Sequence, residues 1–177
     1  MSILVTADFR DRADSARIGC LRIWCNLRVW ASRLITGCQM PLLRNMNLVE
    51  RVSVGAEGEA TTVVRPEDTV RHFHPSMPEA YGTPFMIYLM EVAASNAVQP
   101  SMPSGWVTVG VDVNIRHMAA TPVGRTVVAR AKVTEVSDRL VTFEVQAHDG
   151  INTIGKGTHT RAPVELKRFG AALAKSG

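Results

Sequence analysis

Thr83-Pro84-Phe85-Met86-Ile87-Tyr88-Leu89-Met90-Glu91 opens what reads as one long buried helix, and the sequence beyond it reads as sheet built to wrap that helix. Thr83 can serve as N-cap, its hydroxyl accepting an otherwise orphan backbone N–H. Pro84 then falls at the first helical position, where a missing N–H costs nothing. From Phe85 to Val98 nearly every residue is apolar or small, and Pro100 and Pro103 close the segment. A helix apolar on nearly all sides, and too short to span a bilayer, belongs inside a protein.

Glu91 is the only charge on this helix, and no Lys or Arg occurs from His72 to Ile115, so its partner must come from elsewhere in the fold. Its neighbours at helical spacing are Ile87, Tyr88, Ala94 and Ser95, an apolar and weakly polar setting. Burying an unpaired carboxylate costs several kcal/mol or shifts its titration, and carboxylates in that state are candidate acids, bases or nucleophiles. The alternative is a residue at the helix edge that simply reaches water.

The chain of 177 residues has room for one domain and an extension. Its net charge of +4 is unevenly placed, because residues 1–45 hold seven Arg against three Asp while residues 46–177 balance thirteen basic with thirteen acidic side chains. The globular part therefore offers no net electrostatic case for nucleic acid. Arg17, Arg22, Arg28 and Arg33 break up the apolar residues near the start, which argues against a membrane span. Residues 1–45 are expected to be a poorly ordered extension or a mis-assigned start, with a domain over 46–170 and a tail over 171–177.

Cys20, Cys25 and Cys38 fit neither a zinc pattern nor a disulfide framework. His72 and His74 lack a third ligand nearby and read as loop residues. No metal or cofactor is expected.

Around the helix the pattern is that of strands. Glu50 to Val54 and Gly58 to Val64 are rich in Val and Thr, and Thr69 to Gly82 reads as an irregular loop. Val107, Val109, Val111, Val113 and Ile115 alternate strictly, which predicts a strand with these residues on one face and His117 closing it. That histidine either caps the core edge or brings an imidazole to Glu91. Three more strands follow, with Val127, Ala129, Ala131 and Val133 inward, then Val141, Phe143, Val145 and Ala147 inward, then Ile151 to Val164. Asp149-Gly150 is a hairpin signal between the last two.

Short strands, one buried helix, then four long strands make an α+β arrangement with an antiparallel sheet, the element order of the hotdog fold. Several motifs carry a resemblance in the same order. They are Thr83-Pro84-Phe85-Met86 with Leu89-Met90-Glu91, His117-Met118-Ala119-Ala120-Thr121-Pro122-Val123-Gly124, Ala147-His148-Asp149-Gly150 and Gly157-Thr158-His159-Thr160-Arg161. Together they resemble hotdog acyl-CoA thioesterases of the fluoroacetyl-CoA thioesterase type from about Val49 to Phe169.

The resemblance implies a catalytic set of Thr83, Glu91 and His117, with Gly110 and Arg161 lining the acyl pocket. It also implies an acyl-CoA substrate, a cytoplasmic enzyme and a homodimer or dimer of dimers with sites near the subunit interface. The segment between His72 and Thr83 is shorter than in the fluoroacetyl-specific enzyme and lacks its phenylalanine-rich lid, Phe73 and Tyr81 being the aromatics available. A short- or medium-chain acyl-CoA is therefore the expected substrate. Competing readings are a hotdog enoyl-CoA hydratase or dehydratase and a non-catalytic acyl-CoA-binding module.

Overall fold

A computed structural model of the chain describes residues 46–175; the expectation for residues 1–45 lies outside the described residues. A one-turn helix, α1 (Leu48–Arg51), precedes strand β1 (Glu57–Val63), and a second single turn, α2 (Val70–Phe73), leads to the central helix α3 (Thr83–Val98). Strands β2 (Trp106–His117), β3 (Thr126–Val136), β4 (Val141–His148) and β5 (Thr153–Glu165) follow, and α4 (Leu166–Leu173) is the last described element. The strands form one antiparallel sheet in the order β1-β3-β4-β5-β2 around α3, the arrangement that the hotdog resemblance implies.

Strands β3 and β4 bury the residues their alternation predicts. Val127, Ala129, Ala131, Val133, Val141, Phe143, Val145 and Ala147 all meet the core formed with Met86, Met90, Ala93, Ala94 and Val98 of α3. Each fully buried Val, Met or Phe contributes roughly 1.5–3 kcal/mol relative to exposure. The helix sits tightest against β1: a Cβ added at Gly58 would fall inside the backbone of Ala93 and Ala97. Glycine on the strand and alanines on the helix are what let the two backbones approach so closely.

Three sequence expectations are corrected. The stretch Glu50 to Val54 is not a strand, because Leu48–Arg51 is a single helical turn with Leu48 fully buried. The N-cap of α3 is Gly82, with extended backbone; Thr83 is already helical, and its hydroxyl turns to a tertiary partner instead of the helix end.

The third correction concerns β2, whose pairing with β5 shifts register between Gly110 and Asp112 and leaves Val111 as an extra residue. A bulge of this kind reverses which face later residues occupy. Thr108 and Gly110, opposite Pro163 and Arg161, therefore share the helix-facing side with Val113, Ile115 and His117, while Val107 and Val109 face the other way. β2 is also an edge strand, with Val111 47% and Val113 39% exposed.

Candidate active site

Helix α3 carries two of the predicted residues. Thr83 lies in its first turn and Glu91 eight residues on, about 12 Å along the axis at the helical rise. Each has drawn a different partner, so the site has two parts.

At the helix N-terminus, Thr83 Oγ1 is hydrogen-bonded to His117 Nδ1 at 2.8 Å. His117 sits at the end of β2 on its helix-facing side, and its Nε2 is buried with no hydrogen-bond partner among the described residues. A hydroxyl fixing one ring nitrogen while the other stays free is an arrangement that can pass a proton or a hydrogen bond to a bound substrate. Phe85, two residues further along the helix, stacks on Phe73 with ring centroids 6.1 Å apart. Phe73 is exposed, whereas Tyr81, the other aromatic of that segment, is buried.

Further along the helix, the Glu91 side chain is 35% exposed and its carboxylate lies 3.4 Å from Arg161 Nη1, whose side chain is only 7% exposed. Of the two readings of His117, the one that brings its imidazole to Glu91 does not hold: the cation comes from the neighbouring strand β5, and His117 is engaged by Thr83. Arg161 is held on every side. Its Nε donates to Thr108 Oγ1 at 2.9 Å and its Nη2 to the Thr108 carbonyl at 2.6 Å. Nη1 also reaches the Glu91 carbonyl at 3.4 Å and His159 Nε2 at 3.1 Å. Burial pushes the guanidinium pKa down, and the Glu91 carboxylate, by charge and hydrogen bond, pulls it back up. An arginine nonetheless keeps its charge throughout the working pH range.

Gly110 completes this part. A Cβ at that position would stand 3.2 and 3.3 Å from the two Glu91 carboxylate oxygens and 3.0 Å from His159 Cε1. The glycine keeps one flank of the carboxylate clear. With Oε2 committed to Arg161, Oε1 is left as the oxygen available for chemistry.

The structure thus brings Glu91, Arg161 and Gly110 together and pairs Thr83 with His117, and no hydrogen bond joins the two groups among the described residues. Sequence reasoning missed Thr108 and His159, which anchor Arg161. Alternation along β5 held a signal for one of them: His159 lies two residues before Arg161, so both point to the same side. No group of three or more His, Cys, Asp or Glu among the described residues is placed to hold a metal ion, and no described helix is long and apolar enough to cross a membrane.

Comparison with known proteins agrees with this architecture. Residues 64–167 match the family described as Fluoroacetyl-CoA-specific thioesterase. The chain is 41% identical over 117 residues to the fluoroacetyl-CoA thioesterase of Streptantibioticus cattleyicolor, a match covering 63% of this chain and 84% of that protein. Among solved structures, the fluoroacetyl-CoA thioesterase FlK superposes with a TM-score of 0.67 at 37% identity, over 71% of this chain and 98% of that one. A thioesterase superfamily member from Thermus thermophilus gives 0.65 at 26% identity, over 70% and 92%. A hot-dog-like protein from Thermanaerovibrio acidaminovorans, at 22% identity, gives 0.67 over 74% and 97% and supports the fold. This hotdog-fold chain, a thioester hydrolase, belongs to the fluoroacetyl-CoA-specific thioesterase family.

Proposed function

We propose that the chain hydrolyses a short- or medium-chain acyl-CoA to the free acid and CoA, with Glu91 as the central carboxylate. The observation that carries this reading is the Glu91 carboxylate itself, part-exposed, held through one oxygen by the buried Arg161 and kept clear on its flank by Gly110. Oε1 either attacks the thioester carbonyl, forming an anhydride that water then cleaves, or takes a proton from water as the hydroxide adds to that carbonyl. In both routes the carbon–sulfur bond breaks, the electron pair leaves on sulfur and a proton reaches the thiolate. His117, fixed by Thr83 and with Nε2 free, is assigned to that proton or to the carbonyl oxygen.

The two parts of the site lie far apart on one helix, and the long edge strand β2 presents exposed Val111 and Val113 together with open backbone groups. Unpaired backbone groups along an edge strand are a template for a second strand. Two-fold pairing of β2 with β2 of a second copy would run the helices in opposite directions, setting the Thr83–His117 end of one towards Glu91 of the other. A homodimer, alone or as a dimer of dimers, is therefore the proposed assembly, and an acyl-CoA substrate implies a cytoplasmic site of action.

Acyl preference is assigned from the segment before the helix. Between His72 and Thr83 the segment holds only Phe73, exposed and stacked on Phe85, and the buried Tyr81, and this sparse aromatic cover is the ground for assigning chains longer than a two-carbon acyl group. Free-thiol release from acetyl-, fluoroacetyl-, butyryl-, hexanoyl- and octanoyl-CoA tests this reading. Highest kcat/KM among the butyryl to octanoyl members is expected. Turnover confined to fluoroacetyl-CoA would contradict the assigned range, and hydration of crotonyl-CoA without thiol release would replace the reaction.

A further inference from the structure

We infer that His159 is a positioning residue for the hydrolysis, acting on Glu91 through Arg161; the inference rests on the thioesterase reading and adds to it a residue outside the predicted catalytic set. His159 is 1% exposed, so it does not touch bulk solvent. Its position on β5 is fixed by strand pairing, opposite Val113 on β2 and Phe143 on β4, with the imidazole stacked on the Phe143 ring at 6.3 Å.

Hydrogen-bond chemistry dictates its protonation. Nδ1 lies 2.8 Å from the carbonyl oxygen of Asp112, which can only accept. Nε2 lies 3.1 Å from Arg161 Nη1, which can only donate. Only the neutral tautomer with hydrogen on Nδ1 satisfies both contacts. The carbonyl in question belongs to the residue just past the β2 bulge, so the bulge that turns Gly110 towards Glu91 also anchors the imidazole. The order of support runs from Asp112 through His159 to Arg161 and then to the carboxylate.

The charged groups around the ring are Glu91 from α3, Arg161 from its own strand and Asp112 from β2, while β4 contributes the uncharged Phe143. Burial, with help from the Arg161 charge, holds the imidazole below its usual pKa against the opposing pull of the Asp112 hydrogen bond, Glu91 and the Asp112 charge. Protonation at low pH would place a second N–H against the guanidinium and break the link, so the rate should fall on the acid side through this group as well as through any carboxylate.

Three substitutions in the full chain separate positioning from packing. His159→Gln sets an amide oxygen where Nε2 stands and keeps an acceptor for Arg161. His159→Asn sets its amide where Nδ1 stands, keeping the donor to Asp112 and removing that acceptor, and His159→Leu offers neither. Hydrolysis kcat should fall about tenfold or more in Asn and Leu with KM little changed, and stay within about threefold of wild type in Gln, the scale of a hydrogen bond to a charged group. The Gln variant should also lose the part of the acid-side decline due to the imidazole. Equal losses in all three, or losses that simply follow melting temperature, overturn the inference.

Long-range proton–nitrogen NMR provides a readout that needs no turnover. At neutral pH it should find His159 neutral with hydrogen on Nδ1, and slowly exchanging Arg161 Nη protons that persist in Gln and vanish in Asn. A wild-type protein with that signature but no hydrolysis would refute the thioesterase reading while supporting the linkage to Arg161. A charged imidazole, or one protonated on Nε2, refutes the positioning role whatever the activity.

Discussion

Replacing Gly110 by alanine adds one methyl group beside the carboxylate, and the structure says which neighbour must yield. The new Cβ would meet His159 Cε1 at 3.0 Å and the Glu91 oxygens at 3.2 and 3.3 Å. His159 is pinned at both nitrogens and stacked on Phe143, whereas the Glu91 carboxylate is the end of a flexible, part-exposed side chain. The carboxylate should therefore move, by a few tenths of an ångström. Its contact with Arg161 is already 3.4 Å long, so a displacement of that size ends it. A hydrogen bond to a charged group is worth about 1.5–3 kcal/mol, which converts to a fall in kcat/KM of roughly 10- to 150-fold if the contact orients the reactive carboxylate. Global stability should change little, since the yielding group can swing towards water. Thiol-release kinetics on Gly110→Ala, beside thermal melts of both proteins, measure the two quantities. Activity within about twofold of wild type at unchanged Tm would refute the reasoning, because alignment of Glu91 would then not matter to the rate.

The other predictions concern the scaffold and the second part of the site. Gly58→Ala forces β1 away from the backbone of Ala93 and Ala97 and should cost about 1–3 kcal/mol or more, read as a lower urea midpoint. Thr83→Val keeps the shape of the side chain but frees His117 Nδ1 and should lower kcat by roughly tenfold at unchanged Tm, the size of one hydrogen bond. Asp149 is buried, which alone would raise its pKa. Hydrogen bonds from the Asn152 and Ile151 N–H groups and the Thr121 hydroxyl, with the charge of Arg125, outweigh that and hold it below the ordinary value. A depressed folded-state pKa gives stability that is complete above the unfolded pKa and lost as pH falls through the folded one. Urea midpoints measured downward from pH ~6 should fall below pH ~4 in wild type, and Asp149→Asn should be less stable at neutral pH but show a flatter acid decline.

How legible this was in sequence depended on the kind of information involved. Alternation in β3 and β4 marked the inward residues because both strands lie inside the sheet with one face on the helix. Pro84 marked the start of α3, and the lack of any neighbouring cation showed that Glu91 needed a partner from afar. That partner, Arg161, was already a candidate as a pocket residue, yet its pairing with Glu91 depends on strand order, which local pattern does not encode. The β2 bulge was hidden for a related reason. An unbroken period of two in Val107 to Ile115 looks the same whether or not one residue is left out of register, and only pairing with β5 decides it. Thr83 illustrates competition between local and tertiary contacts: its cap propensity is real, but Gly82 takes the cap position and the hydroxyl is used by His117.

The most direct test of the central claim is CoA release by wild type and Glu91→Gln across the acyl-CoA series, with circular dichroism to confirm that both are folded. The account predicts that wild type hydrolyses some members and that Glu91→Gln, which keeps the size of the side chain but neither its charge nor its basicity, loses most of that rate. Hydrolysis by Glu91→Gln at the wild-type rate would contradict it, since the carboxylate that Arg161, Gly110 and His159 surround would then have no part in the reaction.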